Sequence, residues 1–224
     1  MVAERLSAEG ERKVPERDTA AKLNASQAQE YWKQPDDGVN NPLEYLVDSE
    51  RLRARNASLL SVFEKHVDRS DSILEIGCNA GRNLHQLWAA GYKRLSAVEI
   101  SEPAVNVMRR YLPTVYKDSN ITLGAIEDII KTVPKTRYDV IFSMAVLIHL
   151  PPESEWIFKE IARKAKKKII LFEGEGGEDE SVRHFPRNYK RVFQRLKRPQ
   201  IDQMWPVPGL PKSYVCRVFE AMPE

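Results

Sequence analysis

The run Ser72-Ile73-Leu74-Glu75-Ile76-Gly77-Cys78-Asn79-Ala80-Gly81-Arg82-Asn83-Leu84 constrains this chain more than any other segment. An Ile- and Leu-rich stretch reads as a buried strand, glycines break it, and a helix follows. One strand length later, Leu95-Ser96-Ala97-Val98-Glu99-Ile100 is a second apolar strand with an acid near its end. Strand, glycine turn, helix and strand make a parallel βαβ unit, whose ligands gather where strand ends face a crevice. The glycine spacing narrows the ligand. A dinucleotide fold would use G-x-G-x-x-G to cradle a pyrophosphate, whereas G-x-x-x-G suits a nucleoside with a small charged tail. Glu99, about 20 residues beyond the turn, stands where an acid accepts hydrogen bonds from a ribose diol.

With these residues the chain resembles the class I S-adenosylmethionine-dependent methyltransferases. Leu74-Glu75-Ile76-Gly77-Cys78-Asn79-Ala80-Gly81 is similar to their first motif, and Glu99 to the acid that ends their second. Asn120-Ile121-Thr122-Leu123-Gly124-Ala125-Ile126-Glu127-Asp128-Ile129 is similar to their adenine-side segment. Tyr138-Asp139-Val140-Ile141-Phe142-Ser143-Met144-Ala145-Val146-Leu147-Ile148-His149-Leu150-Pro151 is similar to their fourth strand and the turn after it. The ILEIGCNAG and VLIHLPP runs are also distantly similar to methyltransferases of nonulosonic-acid sugar biosynthesis. The resemblance implies an α/β, Rossmann-like, doubly wound fold. Its seven-stranded sheet would be mostly parallel, with the terminal strand as the antiparallel insertion. It also implies S-adenosyl-L-methionine as methyl donor and S-adenosyl-L-homocysteine as product. Gly77, Cys78, Gly81, Ile100 and Ser101 would then flank the donor. Glu99 would hold its ribose, Ile126 and Glu127 its adenine, and Ser143 and Met144 would lie beneath it.

Several of these residues carry two readings. Glu75, buried in a strand, must find a partner or stay uncharged, and either orients the glycine loop or meets the donor's ammonium group. Asn79 and Asn83 suit the donor carboxylate, but asparagine also caps turns and helices. Glu127 or Asp128 could be a helix N-cap, with Asp128 the better structural candidate. His149 is the histidine near the inferred site whose ordinary pKa fits a general base, against the alternative of a packed ring. Arg51, Arg53 and Arg55 offer a carboxylate clamp, with Arg55 the nominal choice. Tyr31, Trp32 and Tyr45 form either an aromatic lid or the small core of a cap. Glu173, Arg183, His184 and Arg187 are candidate contacts for an acidic acceptor, or members of oppositely charged segments that pair on the surface.

The 224 residues fit one globular core. Residues 1–24, rich in charge and poor in apolar period, read as a mobile tail. Residues 25–70, where helix breakers Pro35, Gly38 and Pro42 interrupt recurring apolar positions, read as an N-terminal helical cap continuous with the core. Residues 71–224 read as the catalytic domain. The expected strands are Ile73–Ile76, Leu95–Ile100, Ile121–Leu123, Val140–Ser143, Lys168–Phe172 and Tyr214–Glu220. Helices are expected at 83–90, from Pro103 to about Tyr111, at 153–165 and at 189–196. No apolar run is long enough to cross a bilayer and no secretory signal stands at the N-terminus, so a cytoplasmic protein is expected. Cys78 and Cys216 make no metal or disulfide pattern.

The net charge of +3 does not select nucleic acid, and the late basic segment lacks interleaved aromatics. The expected reaction is methyl transfer to a small molecule, acidic or sugar-like. RNA or protein methylation and non-catalytic donor binding are the alternatives. The sequence leaves the acceptor and the oligomeric state open.

Overall fold

In the computed structural model, which describes residues 21–35, 40–135, 137–176 and 181–220, β1 (Ile73–Ile76) is buried at every position. Apolar side chains on both faces of a strand demand cover on both sides, and helices supply it. β1 pairs in parallel with β2 (Leu95–Glu99) and with β4 (Tyr138–Met144). β3 (Asn120–Leu123) extends the sheet beyond β2, and β5 (Ala165–Gly174) beyond β4, both in parallel. β7 (Tyr214–Glu220) then runs antiparallel to β5, with β6 (Gln200–Met204) antiparallel at the edge. The order is β3-β2-β1-β4-β5-β7-β6. The sheet is therefore the mostly parallel, seven-stranded one expected, with the terminal strand inserted antiparallel.

Alternate side chains build two cores. On one face, Leu59 and Phe63 of α2 (Glu50–His66) and Leu84 and Leu87 of α3 (Arg82–Ala89) pack with Ile73, Phe142 and Phe172. On the other, Ile157, Phe158 and Ile161 of α7 (Trp156–Lys164) and Phe193 of α8 (Tyr189–Arg195) pack with Leu74, Ile76, Ile141 and Leu171. The connections from β1 and from β4 leave on opposite faces, so a crevice opens at the carboxyl ends of these strands.

Boundaries shift where local chemistry was underread. The helix expected from Glu153 begins at Trp156, because the turn Pro152–Ser154 forms its own 3-10 segment. The short helix α5 (Pro113–Asp118) and strand β6 were not anticipated, and α6 (Ile126–Thr132) already contains both Glu127 and Asp128, the acids weighed as its cap. α4 (Glu102–Tyr111) starts on Ser101, whose hydroxyl accepts from the Ala104 N–H. Ahead of β1, α1 (Ala25–Lys33) opens with a capping box in which the Asn24 and Gln27 side chains each accept from the other's backbone N–H. Residues 1–20, most of the expected tail, lie outside the described residues. Next to them, the Leu23 N–H donates to the Val182 carbonyl at 3.0 Å and Lys22 Nζ donates to the Ser181 carbonyl at 2.6 Å. Among the described residues no helix is long and apolar enough to cross a membrane.

Candidate functional site

Three residues of the glycine turn have left-handed backbones: Gly77 (φ +69°), Asn79 (φ +49°) and Gly81 (φ +81°). A Cβ on Gly77 would lie 2.6 Å from Val146, and one on Gly81 would lie 2.8 Å from Met108. Gly77 therefore lets the strand end pass under the loop after β4, while Gly81 seats α3 against α4. Gly77, Cys78 and Asn79 line a cavity of about 580 Å³; Gly81 stands behind it. Asn79 stabilises its own turn, its Oδ1 accepting from the Ala80 N–H at 2.7 Å. The Cys78 thiol is pushed well up by burial and stays protonated, an apolar contact rather than a nucleophile.

Glu99 ties the turn to the end of β2. Its Oε2 accepts from the Asn79 N–H at 2.7 Å and its Oε1 from the Ser101 N–H at 2.8 Å. Burial raises its pKa and these donors oppose the rise. Each carboxylate oxygen has a second acceptor site, and Glu99 faces the cavity beside Ile100. Ser101 lies off the wall, occupied as the cap of α4.

Behind the turn stands a polar chain. Fully buried Glu75 accepts from Asn83 Nδ2 at 2.7 Å, and its Oε2 has no partner among the described residues. Desolvation pushes its pKa to about 8, against the pull of Asn83 and Arg82. Glu75 is off the wall, and it orients Asn83, which is on it. Asn83 Oδ1 in turn accepts from Arg82 Nε (3.2 Å) and Nη2 (2.8 Å). Arg82 Nη2 also approaches Met144 Sδ at 3.4 Å, while its buried Nη1 has no partner among the described residues. Burial lowers the Arg82 pKa to about 10, so the group stays charged near neutral pH.

Sequence reasoning missed Arg82, although a signal existed. A cation at the first position of a helix is opposed by the helix dipole and asks for another explanation.

Of the three arginines weighed for a clamp, Arg51 and Arg55 line the cavity, and Arg53 turns away to Asp48. Arg51 Nε and Arg55 Nε and Nη2 all donate to the Gly209 carbonyl at 3.3–3.4 Å. Burial, then Arg51, lowers the Arg55 pKa; after burial, Arg55 is the next cause lowering that of Arg82. Burial raises the Tyr45 phenol, opposed by Arg55 and Arg82. Ile126 and Glu127 line the cavity, Glu127 accepting from Ser154 Oγ at 3.0 Å. Neither Glu127 nor Asp128 caps α6; that position is Ala125, which makes no side-chain cap.

Met144 lines the cavity, but Ser143 does not, because its hydroxyl donates to Glu173 Oε1 at 2.8 Å. Glu173, read above as a polar contact for the acceptor, is fully buried. It accepts from the Val146 N–H at 3.0 and 3.2 Å and from the Ile148 N–H at 3.2 Å. Burial raises its pKa to about 6 against those bonds. It clamps the loop after β4 instead of facing a ligand. Arg187 also leaves the site, its Nε donating to Glu155 at 2.9 Å and its Nη1 to the Phe185 carbonyl at 2.7 Å.

Opposite the glycine turn, part of the wall comes from α1 and residues 183–184. Trp32 packs on His149 with ring centroids 4.5 Å apart, and His149 on His184 at 4.9 Å. Tyr31 sits behind, edge-on to Trp32 at 5.0 Å and accepting from Asn40 Nδ2 at 2.6 Å. The Arg183 guanidinium lies 4.3 Å from the Tyr31 ring centroid. His149 Nδ1 is 3.1 Å from the Arg183 carbonyl, which can only accept, so Nδ1 carries the hydrogen and Nε2 holds the lone pair of the neutral ring.

A crevice at the carboxyl ends of β1, β2 and β4 with bare turn backbone, a strand-end acid and guanidinium groups fits a nucleoside carrying a carboxylate tail. Its volume is ordinary for a small-molecule site. Fold and crevice are those expected from the resemblance to class I, S-adenosylmethionine-dependent methyltransferases. Residues 73–168 match the family described as a methyltransferase domain. A comparison with characterised sequences gives no match. Among solved structures, the chain is similar to magnesium protoporphyrin IX methyltransferase from Synechocystis PCC 6803 with bound S-adenosylhomocysteine. The identity is 14%, the TM-score 0.67, and 88% of this chain and 98% of that one are covered. It is similar also to 1,6-didemethyltoxoflavin-N1-methyltransferase from Burkholderia thailandensis (13%, TM-score 0.67, 91% and 93% covered). A third is geranyl diphosphate C-methyltransferase from Streptomyces coelicolor A3(2) (12%, TM-score 0.66, 91% and 100% covered).

Proposed function

We propose that this chain methylates a small organic acceptor in the cavity between the glycine turn and α1. The observation that carries this reading is the shared cavity. Trp32, His149, Arg183 and His184 face the same 580 Å³ space as Gly77, Glu99 and Arg82, which suits a metabolite better than a polymer. The three similar structures are named for methylating a porphyrin, a toxoflavin precursor and geranyl diphosphate, all small molecules.

Glu99 would accept from the donor's ribose, Ile100 would flank it, and Ile126 with Glu127 would meet its adenine. Arg82 and Arg55 would receive its carboxylate, while Cys78 and Met144 supply deformable apolar contacts. Glu75, Gly81, Ser101 and Ser143 would act from behind the wall by fixing the residues on it. S-adenosylmethionine supplies an already activated methyl group, so alignment of the acceptor is the main task left to the protein and accounts for several kcal/mol of barrier lowering. His149 Nε2 would take the proton of an acceptor hydroxyl or ammonium, with Nδ1 anchored on the Arg183 carbonyl.

The test is incubation with methyl-labelled S-adenosylmethionine and cell extract, followed by mass spectrometry of every labelled product. Label in a small metabolite supports the reading. Label confined to RNA or protein overturns it. His149→Ala should lower turnover while leaving donor affinity intact, and unchanged turnover would remove the base role.

A further inference from the structure

The cavity walls carry Arg51, Arg55, Arg82 and Arg183 against Glu44, Glu99 and Glu127. Two of those acids are already engaged, Glu99 by turn N–H groups and Glu127 by Ser154. A methyl donor brings a single carboxylate together with an ammonium and a sulfonium, so it adds positive charge to a wall that already has a surplus. Arg82 and Arg55 account for that carboxylate. Of the other two, Arg51 is turned to the Gly209 carbonyl, which leaves Arg183, on the α1 side beside Trp32 and His149.

Arg183 is not a loosely placed surface cation. Its segment is held from several directions: its carbonyl is 3.1 Å from His149 Nδ1, and its N–H donates to Ser181 Oγ at 3.3 Å. Next to it, the Phe185 N–H donates to the Ile148 carbonyl at 2.7 Å, and Lys22 Nζ donates to the carbonyls of Ser181 and His184. The guanidinium lies over the Tyr31 ring, 4.3 Å from its centroid, and the ring holds it there by cation–π attraction. Among the described residues no carboxylate pairs with it, whereas its neighbour Arg187 is spent on Glu155. His184 adds a second nitrogen-bearing group on the same wall.

We infer that the acceptor is an organic anion whose carboxylate or phosphate is received by Arg183, with His184 beside it. This rests on the donor occupying the glycine-turn end. The anionic group lies next to His149, which places the atom to be methylated near the anion-bearing end of the acceptor. Trp32 supplies the apolar wall for the rest of the molecule.

The experiment is calorimetric titration of the full chain saturated with S-adenosylhomocysteine. The probes are matched pairs: benzoate against benzamide, glucuronate against glucose, and phenyl phosphate against phenol. In at least one pair the anion should bind about ten- to a hundredfold more tightly than its neutral partner. The carboxylate and phosphate pairs decide which anion is read. Arg183→Gln should abolish that preference and Arg183→Lys should keep part of it, both with S-adenosylhomocysteine affinity unchanged, which also reports that the variants are folded. Absence of any anion preference, or a preference that survives Arg183→Gln, overturns the inference while leaving the donor reading intact. Failure of the wild-type chain to bind S-adenosylhomocysteine overturns both.

Discussion

Glu75 is a carboxylic acid sealed in a strand with one oxygen satisfied by Asn83 and the other unpartnered. Such a group is tolerated because it stays protonated, and the pKa of about 8 follows from desolvation. The folded value lies above the ordinary one of 4.5, so the folded chain keeps a proton that the unfolded chain releases between them. The corresponding stability is present at low pH and is lost as pH rises through about 8. Gln at this position has no proton to lose. Urea unfolding should therefore show the stability of Glu75→Gln relative to wild type increasing between about pH 5 and about pH 9. A difference that does not change with pH would contradict the assignment. Glu173 makes the opposite case, a carboxylate surrounded by donors. Glu173→Ala leaves the Val146 and Ile148 N–H groups unpaired in a buried loop and should cost about 2–5 kcal/mol in chemical denaturation. A loss below about 0.5 kcal/mol would show that the clamp is dispensable.

At the scale of elements, the connection between β6 and β7 is pinned to α2 through Gly209. Its φ is +82°, and a Cβ there would run into the Arg51 carbonyl and the Arg55 backbone nitrogen. Backbone cannot yield as a side chain does. Gly209→Ala should push the connection off the helix and release Arg51 and Arg55 from the Gly209 carbonyl. It should lower stability by about 1–3 kcal/mol and weaken S-adenosylhomocysteine binding, read by thermal unfolding and calorimetry. Unchanged values in both would mean that this contact does not position the arginines. Four of the parallel strands, β1, β2, β4 and β5, were legible because stretches buried on both faces read as continuous apolar runs, as in Ile73–Ile76. β6 was not, because Gln200-Ile201-Asp202-Gln203-Met204 is a half-exposed edge whose pairing slips between Gln200 and Asp202. The turn and Glu99 were legible because fixed spacing along one βαβ unit places them together. Ser143, Glu173 and Arg187 were placed correctly along the chain but not in their partners. Position at a strand end does not reveal whether a side chain meets the cavity or the clamp beneath it. Arg82 was hidden for the converse reason: its place on the wall depends on Glu75 and Asn83 acting together.

For the whole molecule, two cores hold a sheet whose carboxyl edge is covered by α1, so both ends of one cavity come from distant parts of the chain. The glycine turn and Glu99 would seat S-adenosylmethionine, and calorimetric titration of S-adenosylhomocysteine into the wild-type chain and Glu99→Ala is the decisive measurement. One site per chain is predicted, weakened about ten- to a hundredfold by loss of the carboxylate that would hold the ribose. Absence of binding to the wild type, or an affinity that Glu99→Ala leaves unchanged, would contradict it.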